Sequence, residues 1–138
     1  PPLGVLNLHS GLLPAYRGVL ATFRALANGE NEIGCTVHYI ADGTIDTGPI
    51  VATTRTPVDR SRSLFWHIAQ LYGPGVEALG KAAQHVLRGD ALATTAQPGG
   101  TYYSYPTHEE WARLAADGWT VVTMADAASV WQRFGATP

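Results

Sequence analysis

Three polar side chains in this sequence have the types needed to move a proton and to stabilise a developing negative charge. Asn7 and His9 close an apolar segment over residues 3–8, and Asp46 follows His9 by 37 residues in a turn-rich loop. Residues i and i+2 of a strand share one face, so we expect Asn7 and His9 to project together. An amide, an imidazole and a carboxylate that meet at strand ends can bind an oxyanion and transfer a proton. The pattern predicts a catalytic site.

Each of these residues also has a structural interpretation. Asn7 and His9 could bond local backbone at a strand end, and Asp46 precedes Thr-Gly-Pro, which is ordinary turn chemistry. His38 lies in a strand-like segment, where a structural histidine is the more frequent case. His9, His38 and Asp46 could form a metal site with two histidines and one carboxylate. Their spacing differs from that of strong zinc motifs, so we predict no metal.

Composition limits the possible classes of protein. The chain has 138 residues, 46% of them apolar and 14% charged, with a formal net charge of −2. The length predicts one globular domain at most, which is small for a complete α/β enzyme. The charge gives no large basic field of the kind that binds nucleic acid. Cys35 is the only cysteine, which excludes an internal disulfide and a CxxC motif. The sequence contains no long apolar span and no signal-peptide pattern, so we predict a cytoplasmic protein.

Hydrophobic periodicity and turn residues predict a layered α/β architecture with about four strands. Residues 73–75, Gly-Pro-Gly, are expected to kink or split the long second helix. Because the chain opens directly on an interior-type strand, we expect an upstream part to be missing. The predicted strands cover 3–9, 34–40, 50–56 and 93–97, with an extended segment at 119–123, and the predicted helices cover 19–28, 62–88, 107–117 and 126–134.

Two further segments have open interpretations. The loop that contains Leu12, Leu13 and Pro14 would suit the wall of an apolar ligand slot, or could pack its leucines into the core. The aromatic segment 102–105 could stack on a ring, or could pack against the sheet.

The motifs taken together resemble the folate-dependent formyltransferases, the family of glycinamide ribonucleotide formyltransferase and methionyl-tRNA formyltransferase. The similar segments are Asn7–His9, Leu12–Gly18, Asn28–Glu30, Gly34–His38 and Asp42–Val51. The resemblance covers residues 3–97, and the tail from Tyr102 is more weakly similar to an extension found in some members. Family members usually carry Pro-Ser where this chain has Ser10 and Gly11.

This resemblance implies the C-terminal half of a Rossmann-like formyltransferase sheet, mixed and with flanking helices, whose N-terminal half is absent. Residues 1–97 would be a partial catalytic domain and residues 98–138 an aromatic and helical extension. The truncated sheet edge could drive self-association.

The resemblance also implies the reaction: transfer of a formyl group from 10-formyltetrahydrofolate to a primary amine, with no metal. Asn7, His9 and Asp46 match the catalytic residues of the family. Asn7 and a protonated His9 would donate to the oxyanion, and Asp46 would favour the imidazolium and help to take the amine proton. The residues expected to contact folate are Leu12, Leu13, Pro14, Ile40, Asp42, Gly43 and Thr44.

The sequence leaves the acceptor and the activity of the isolated chain open. The acceptor could be a ribonucleotide, an amino-sugar nucleotide or an aminoacyl-tRNA, so tRNA is the one nucleic acid partner that we consider. With water as the acceptor, the same residues would make a formyltetrahydrofolate hydrolase. A third alternative is an inactive fragment or interaction module that folds against a partner half-sheet.

Overall fold

The computed structural model describes residues 4–135, so Leu3 of the first predicted strand lies outside the described residues. The architecture is α/β, as predicted, with helices that flank a small sheet. In chain order the elements are β1 (Leu6–His9), β2 (Arg17–Gly18), α1 (Ala21–Ala27), β3 (Glu32–Tyr39), β4 (Ile50–Pro57), α2 (Leu64–Leu87), β5 (Tyr102–Tyr103), α3 (His108–Ala116) and α4 (Met124–Phe134).

The main sheet has the strand order β1-β3-β4, and both of its pairings are antiparallel. A separate two-stranded sheet pairs β2 with β5 in parallel. β3 is buried along most of its length, because it lies between two strands and beneath α2. The register places Asn7 opposite His38 and His9 opposite Thr36. The pairing therefore brings Asn7 of β1 next to a histidine of β3.

The long helix α2 is continuous, whereas the sequence left open a split at residues 73–75. Pro74 lies inside the helix, where it has no N–H to donate to the carbonyl four residues earlier. Gly75 allows α2 to approach β3, since a Cβ at this position would lie 3.0 Å from Cys35 Sγ. The Gly-Pro-Gly segment thus serves close packing and does not end the helix.

Two predicted extended segments do not form strands in the structure. Residues 93–97 contribute only a single bridge, between Thr95 and Ile50, to the free edge of β4. In segment 119–123, the carbonyls of Thr120 and Val121 accept from the N–H groups of Leu64 and Phe65 at 2.9 Å. These carbonyls satisfy the free donors at the N-terminus of α2, so they are not available to a sheet.

The hydrophobic core joins the sheet to helices from both ends of the chain. Phe23 of α1 is fully buried and packs edge-on against Trp111 of α3, with ring centroids 4.4 Å apart. Arg24 is also buried and forms an ion pair with Glu110, which belongs to the capping box of α3. The proposed extension after residue 98 therefore shares a core with the first part of the chain. The division into 1–97 and 98–138 stays a prediction.

Asp126 connects the last helix to the start of α2. Its carboxylate accepts hydrogen bonds from the N–H of Ser63 and from Arg62, both at 2.8 Å, and Thr123 Oγ1 accepts from its N–H. Burial alone would raise the pKa of Asp126, but the hydrogen bonds from Ser63, Arg62 and Thr123 lower it to about 2. The carboxylate therefore stays ionised and holds the two helix starts together.

Burial of His67 predicts a stability that depends on pH. Its Nδ1–H donates to the Ser63 carbonyl at 2.8 Å and its Nε2 accepts from the N–H of Asp59 at 3.1 Å, so the ring is satisfied as a neutral base. Burial lowers the pKa of His67 below its ordinary 6.5. Below pH 6.5 the unfolded chain then takes up a proton that the folded chain does not. We expect the free energy of unfolding to decrease as the pH falls from 6.5 towards the pKa of folded His67, as measured by urea denaturation.

The control for this experiment is a second histidine. His67→Gln removes the titrating ring, so the pH dependence in this window should flatten, while exposed His108→Gln should leave it unchanged. An identical pH dependence in wild type and His67→Gln would contradict the assignment.

Candidate active site

The sheet register brings Asn7 and His38 into direct contact. Asn7 Nδ2 lies 3.1 Å from His38 Nε2, and His38 Nδ1 lies 2.9 Å from the carbonyl oxygen of Tyr39. A carbonyl oxygen only accepts, so Nδ1 carries the proton and Nε2 accepts from the Asn7 amide. An amide nitrogen has two hydrogens, and the second hydrogen of Asn7 remains available to another acceptor.

Asp46 lies between the two histidines. Its Oδ2 is 3.4 Å from His9 Nδ1, and its Oδ1 is 3.5 Å from His38 Nε2. The N–H of Gly18 donates to Oδ2 at 2.9 Å. Asp46 has a left-handed backbone, with φ of 53°, in the loop between β3 and β4. The structure thus brings together all three polar residues that the sequence singled out.

His9 is buried, and protein acceptors face both of its nitrogens. Its Nε2 lies 2.6 Å from the carbonyl oxygen of Tyr16, so Nε2 carries a proton, while Nδ1 faces Asp46. Gly11 makes this arrangement possible, because a Cβ there would lie 2.7 Å from His9 Nε2. We expected His9 to donate directly to an oxyanion. Both ring nitrogens here face protein acceptors, Tyr16 and Asp46, and the expected donation to an oxyanion stays a prediction.

The backbone carbonyl that binds His9 belongs to Tyr16, and the Tyr16 side chain has two further contacts. Its hydroxyl donates to Glu30 Oε1 at 2.6 Å, and its ring stacks on Tyr103 at a centroid distance of 5.8 Å. Burial, assisted by the bond to Glu30, raises the pKa of Tyr16 to about 12. The phenol therefore stays protonated near neutral pH and acts as an anchor. The residue type of Tyr16 predicts no such role, since its part in the site depends on its backbone carbonyl.

A cavity of about 230 Å³ opens beside these residues. Its lining includes Asn7, Asp46 and four of the residues expected to contact folate, namely Ile40, Asp42, Gly43 and Thr44. His38, Tyr39, Ile45 and Gly48 complete the lining and were not predicted as site residues. A prediction of the register between β1 and β3 would have identified His38, because that register places it opposite Asn7.

The other three expected folate contacts, Leu12, Leu13 and Pro14, do not line this cavity. Leu13 is buried and its N–H donates to Thr36 Oγ1 at 3.1 Å, while Leu12 packs against the core. The alternative of core packing thus describes the two leucines better than the wall of a slot. Their assignment to folate binding stays a prediction without support from this geometry.

A larger cavity of about 370 Å³ lies between β4 and α2. Its walls are mainly apolar, and Lys81, Glu77 and His85 stand at its edge. It contains none of the three polar residues, and Lys81 is already paired with Glu77 at 2.6 Å. We therefore assign the site to the smaller cavity, which Asn7 and Asp46 line; His9 does not line it and is buried against Asp46.

Within residues 4–135, no cluster of three or more His, Cys, Asp or Glu side chains is arranged to hold a metal ion. His9, His38 and Asp46 are neighbours, but their contacts are with one another and with backbone. The expectation that the site uses no metal stays a prediction. In the same residues, none of the helices is long and apolar enough to cross a membrane.

Comparisons with known proteins agree with this architecture. The family model described as formyl transferase matches residues 1–67. The methionyl-tRNA formyltransferase of Thermus thermophilus is 37% identical over 114 residues, which cover 83% of this chain and 36% of that protein. The chain thus spans about a third of the length of this curated relative.

Solved structures show the same similarity. HypX from Aquifex aeolicus, in complex with tetrahydrofolic acid, is 25% identical with a TM-score of 0.66, over 78% of this chain and 18% of that one. The N-formyltransferase from Helicobacter canadensis, in complex with folinic acid and dTDP-3-aminofucose, is 26% identical with a TM-score of 0.62, over 72% of this chain and 37% of that one.

The fold and the site define an α/β protein in which Asn7, His9 and Asp46 meet beside a cavity. Over residues 1–67 the chain matches the formyl transferase family, and along most of its length it is similar to folate-dependent formyltransferases.

Proposed function

We propose that this chain carries the catalytic centre for transfer of a formyl group from 10-formyltetrahydrofolate to a primary amine. The observation that carries the proposal is the position of Asp46. It lies within 3.5 Å of His9 and His38 and beside Asn7, at the edge of a cavity lined by the expected folate contacts Ile40, Asp42, Gly43 and Thr44.

The chemistry follows from the contacts of these side chains. Attack of the amine on the formyl carbon produces a tetrahedral oxyanion, and the free hydrogen of the Asn7 amide is its donor. Asp46 accepts the proton that the amine loses, directly or through water, and His9 faces Asp46 with Nδ1. The bond from the formyl carbon to N10 of the folate then breaks. Asp46 returns the proton, directly or through water, to the departing N10. The balance is one amine N–H consumed and one folate N–H formed.

The acceptor is the finer part of the proposal. Methionyl-tRNA formyltransferases and a sugar N-formyltransferase are among the similar proteins, so methionyl-tRNA and amino-sugar nucleotides are the first acceptors to test. The test incubates the protein with 10-formyltetrahydrofolate and either methionyl-tRNA, dTDP-3-aminofucose or no amine. A formylated amine supports the proposal. Formate released without an amine would indicate a hydrolase instead, and no turnover in any mixture would contradict catalysis by this chain.

Binding of folate can be measured separately from catalysis. A ligand that binds only the folded state adds about 2.7 kcal/mol of stability at 100 times its Kd. We therefore expect folinic acid at that excess to raise the melting temperature by several degrees. The increase should be lost in Asp46→Ala, since Asp46 lines the cavity.

The matched control for the melt is Asp117→Ala, which removes a carboxylate exposed at the end of α3. This variant should keep the whole response to folinic acid. An equal response in Asp46→Ala and in wild type would place the folate elsewhere. The cytoplasmic location and self-association through the open edge of β1 stay predictions.

A further inference from the structure

Segment 97–103, which ends in β5, has no part in the proposed chemistry, yet it reaches the loop that carries Asp46. β5 pairs in parallel with β2, matching Arg17 with Tyr102 and Gly18 with Tyr103. The pairing includes hydrogen bonds from the N–H of Arg17 to the Thr101 carbonyl and from the N–H of Val19 to the Tyr103 carbonyl, both 2.9 Å. Segment 101–103 thus fixes the backbone on either side of Gly18.

Gly18 is the residue whose N–H donates to Asp46 Oδ2, at 2.9 Å. Its backbone is left-handed, with φ of 93°, and a Cβ there would lie 2.1 Å from the Tyr103 carbonyl oxygen. Only glycine allows β2 and β5 to approach this closely. The position of the Gly18 N–H, and with it one bond to Asp46, is therefore set by β5.

Gln97 provides a second attachment to the same loop. Its side-chain amide donates to the carbonyl oxygen of Gly48, two residues after Asp46, and its backbone carbonyl accepts from the Arg17 guanidinium at 3.4 Å. Gly48 packs closely against β3, since a Cβ there would lie 1.7 Å from the Tyr39 carbonyl oxygen. Gln97 thus ties the end of the loop to the strand that holds Gly18.

The conformation of Asp46 requires such support. Its left-handed φ of 53° is uncommon for a residue with a side chain and persists where surrounding contacts impose it. The segment 97–103 provides contacts on two sides: through β2 and Gly18 to the carboxylate, and through Gln97 to Gly48.

We propose that segment 97–103 positions the Asp46 carboxylate between His9 and His38, and that Gln97 is the positioning residue of this segment. The proposal rests on the proposed function for its catalytic consequence. Its structural part concerns only the geometry of the Asp46 loop. Gln97 acts through Gly48 and Asp46 and does not touch the reacting atoms.

The test is Gln97→Met, which keeps the length of the side chain and removes the N–H donor. We expect amide hydrogen exchange at Gly18, followed by NMR on the whole chain, to become at least ~10-fold faster as the loop loosens. We expect kcat for formyl transfer to fall ~10-fold while KM for the amine changes little, because positioning acts on the transition state. Gln84→Met on the exposed face of α2 is the matched control and should change neither quantity.

The two readouts separate this proposal from the proposed function. If wild type has no transferase activity, exchange at Gly18 still tests the positioning role. Unchanged exchange and unchanged kcat in Gln97→Met would overturn the proposal, as would equal changes in Gln84→Met. If Gln97→Met fails to fold, Gln97→Glu serves instead, since it keeps the shape of glutamine and places an oxygen opposite the Gly48 carbonyl.

Discussion

Replacing Asn7 by alanine is expected to lower kcat for formyl transfer by on the order of 10²–10³, the usual cost of removing one oxyanion donor. Asn7 lines the cavity, and one hydrogen of its amide is bound by His38, at 3.1 Å between the nitrogens. The other hydrogen is free to bind the oxygen of the formyl group as it becomes charged. Because that bond strengthens in the transition state, the loss should appear in kcat more than in KM.

The measurement is steady-state formyl transfer with the best acceptor found for the wild-type protein. Asn31→Ala, which removes an exposed amide ahead of β3, is the matched control and should retain activity. Thermal melts should show Asn7→Ala folded, since the substitution leaves the backbone pairing of β1 with β3 in place. A kcat for Asn7→Ala within a few-fold of wild type would remove Asn7 from the catalytic groups.

Phe23→Ala is expected to destabilise the fold by about 3–5 kcal/mol, the range for deleting a buried aromatic side chain. Phe23 is 0% exposed, and its ring packs edge-on against Trp111. The substitution removes the transfer free energy of the ring and leaves a cavity between α1 and α3. Equilibrium unfolding in urea measures the change.

Phe65→Ala is the comparison for this experiment, because Phe65 on α2 is 39% exposed. It should cost less than Phe23→Ala, since 39% of Phe65 is already in water and its removal leaves no closed cavity. Similar losses in both variants would mean that the core does not lie between α1 and α3. A change confined to Phe23→Ala would also confirm that the C-terminal helices depend on the first half of the chain.

The helices were largely predictable because their signals are local. The capping box of Thr107 and Glu110 begins α3 as predicted, and periodic apolar residues gave α1 and α2 to within a few residues. The strand expectations were less reliable at 93–97 and 119–123. A strand needs a partner along its length, but residues 93–97 make only one bridge to β4, and the carbonyls of residues 120 and 121 bind a helix N-terminus.

The sequence by itself determined the α/β class, the family resemblance, and the residue types of the site, since each depends on composition, spacing or local propensity. Only the tertiary structure decided which groups touch. The register of β1 on β3 placed His38 beside Asn7, and the β2–β5 pairing placed a backbone N–H on Asp46. Contacts of this kind join residues far apart in the chain and often involve backbone atoms, which carry no residue-type signal.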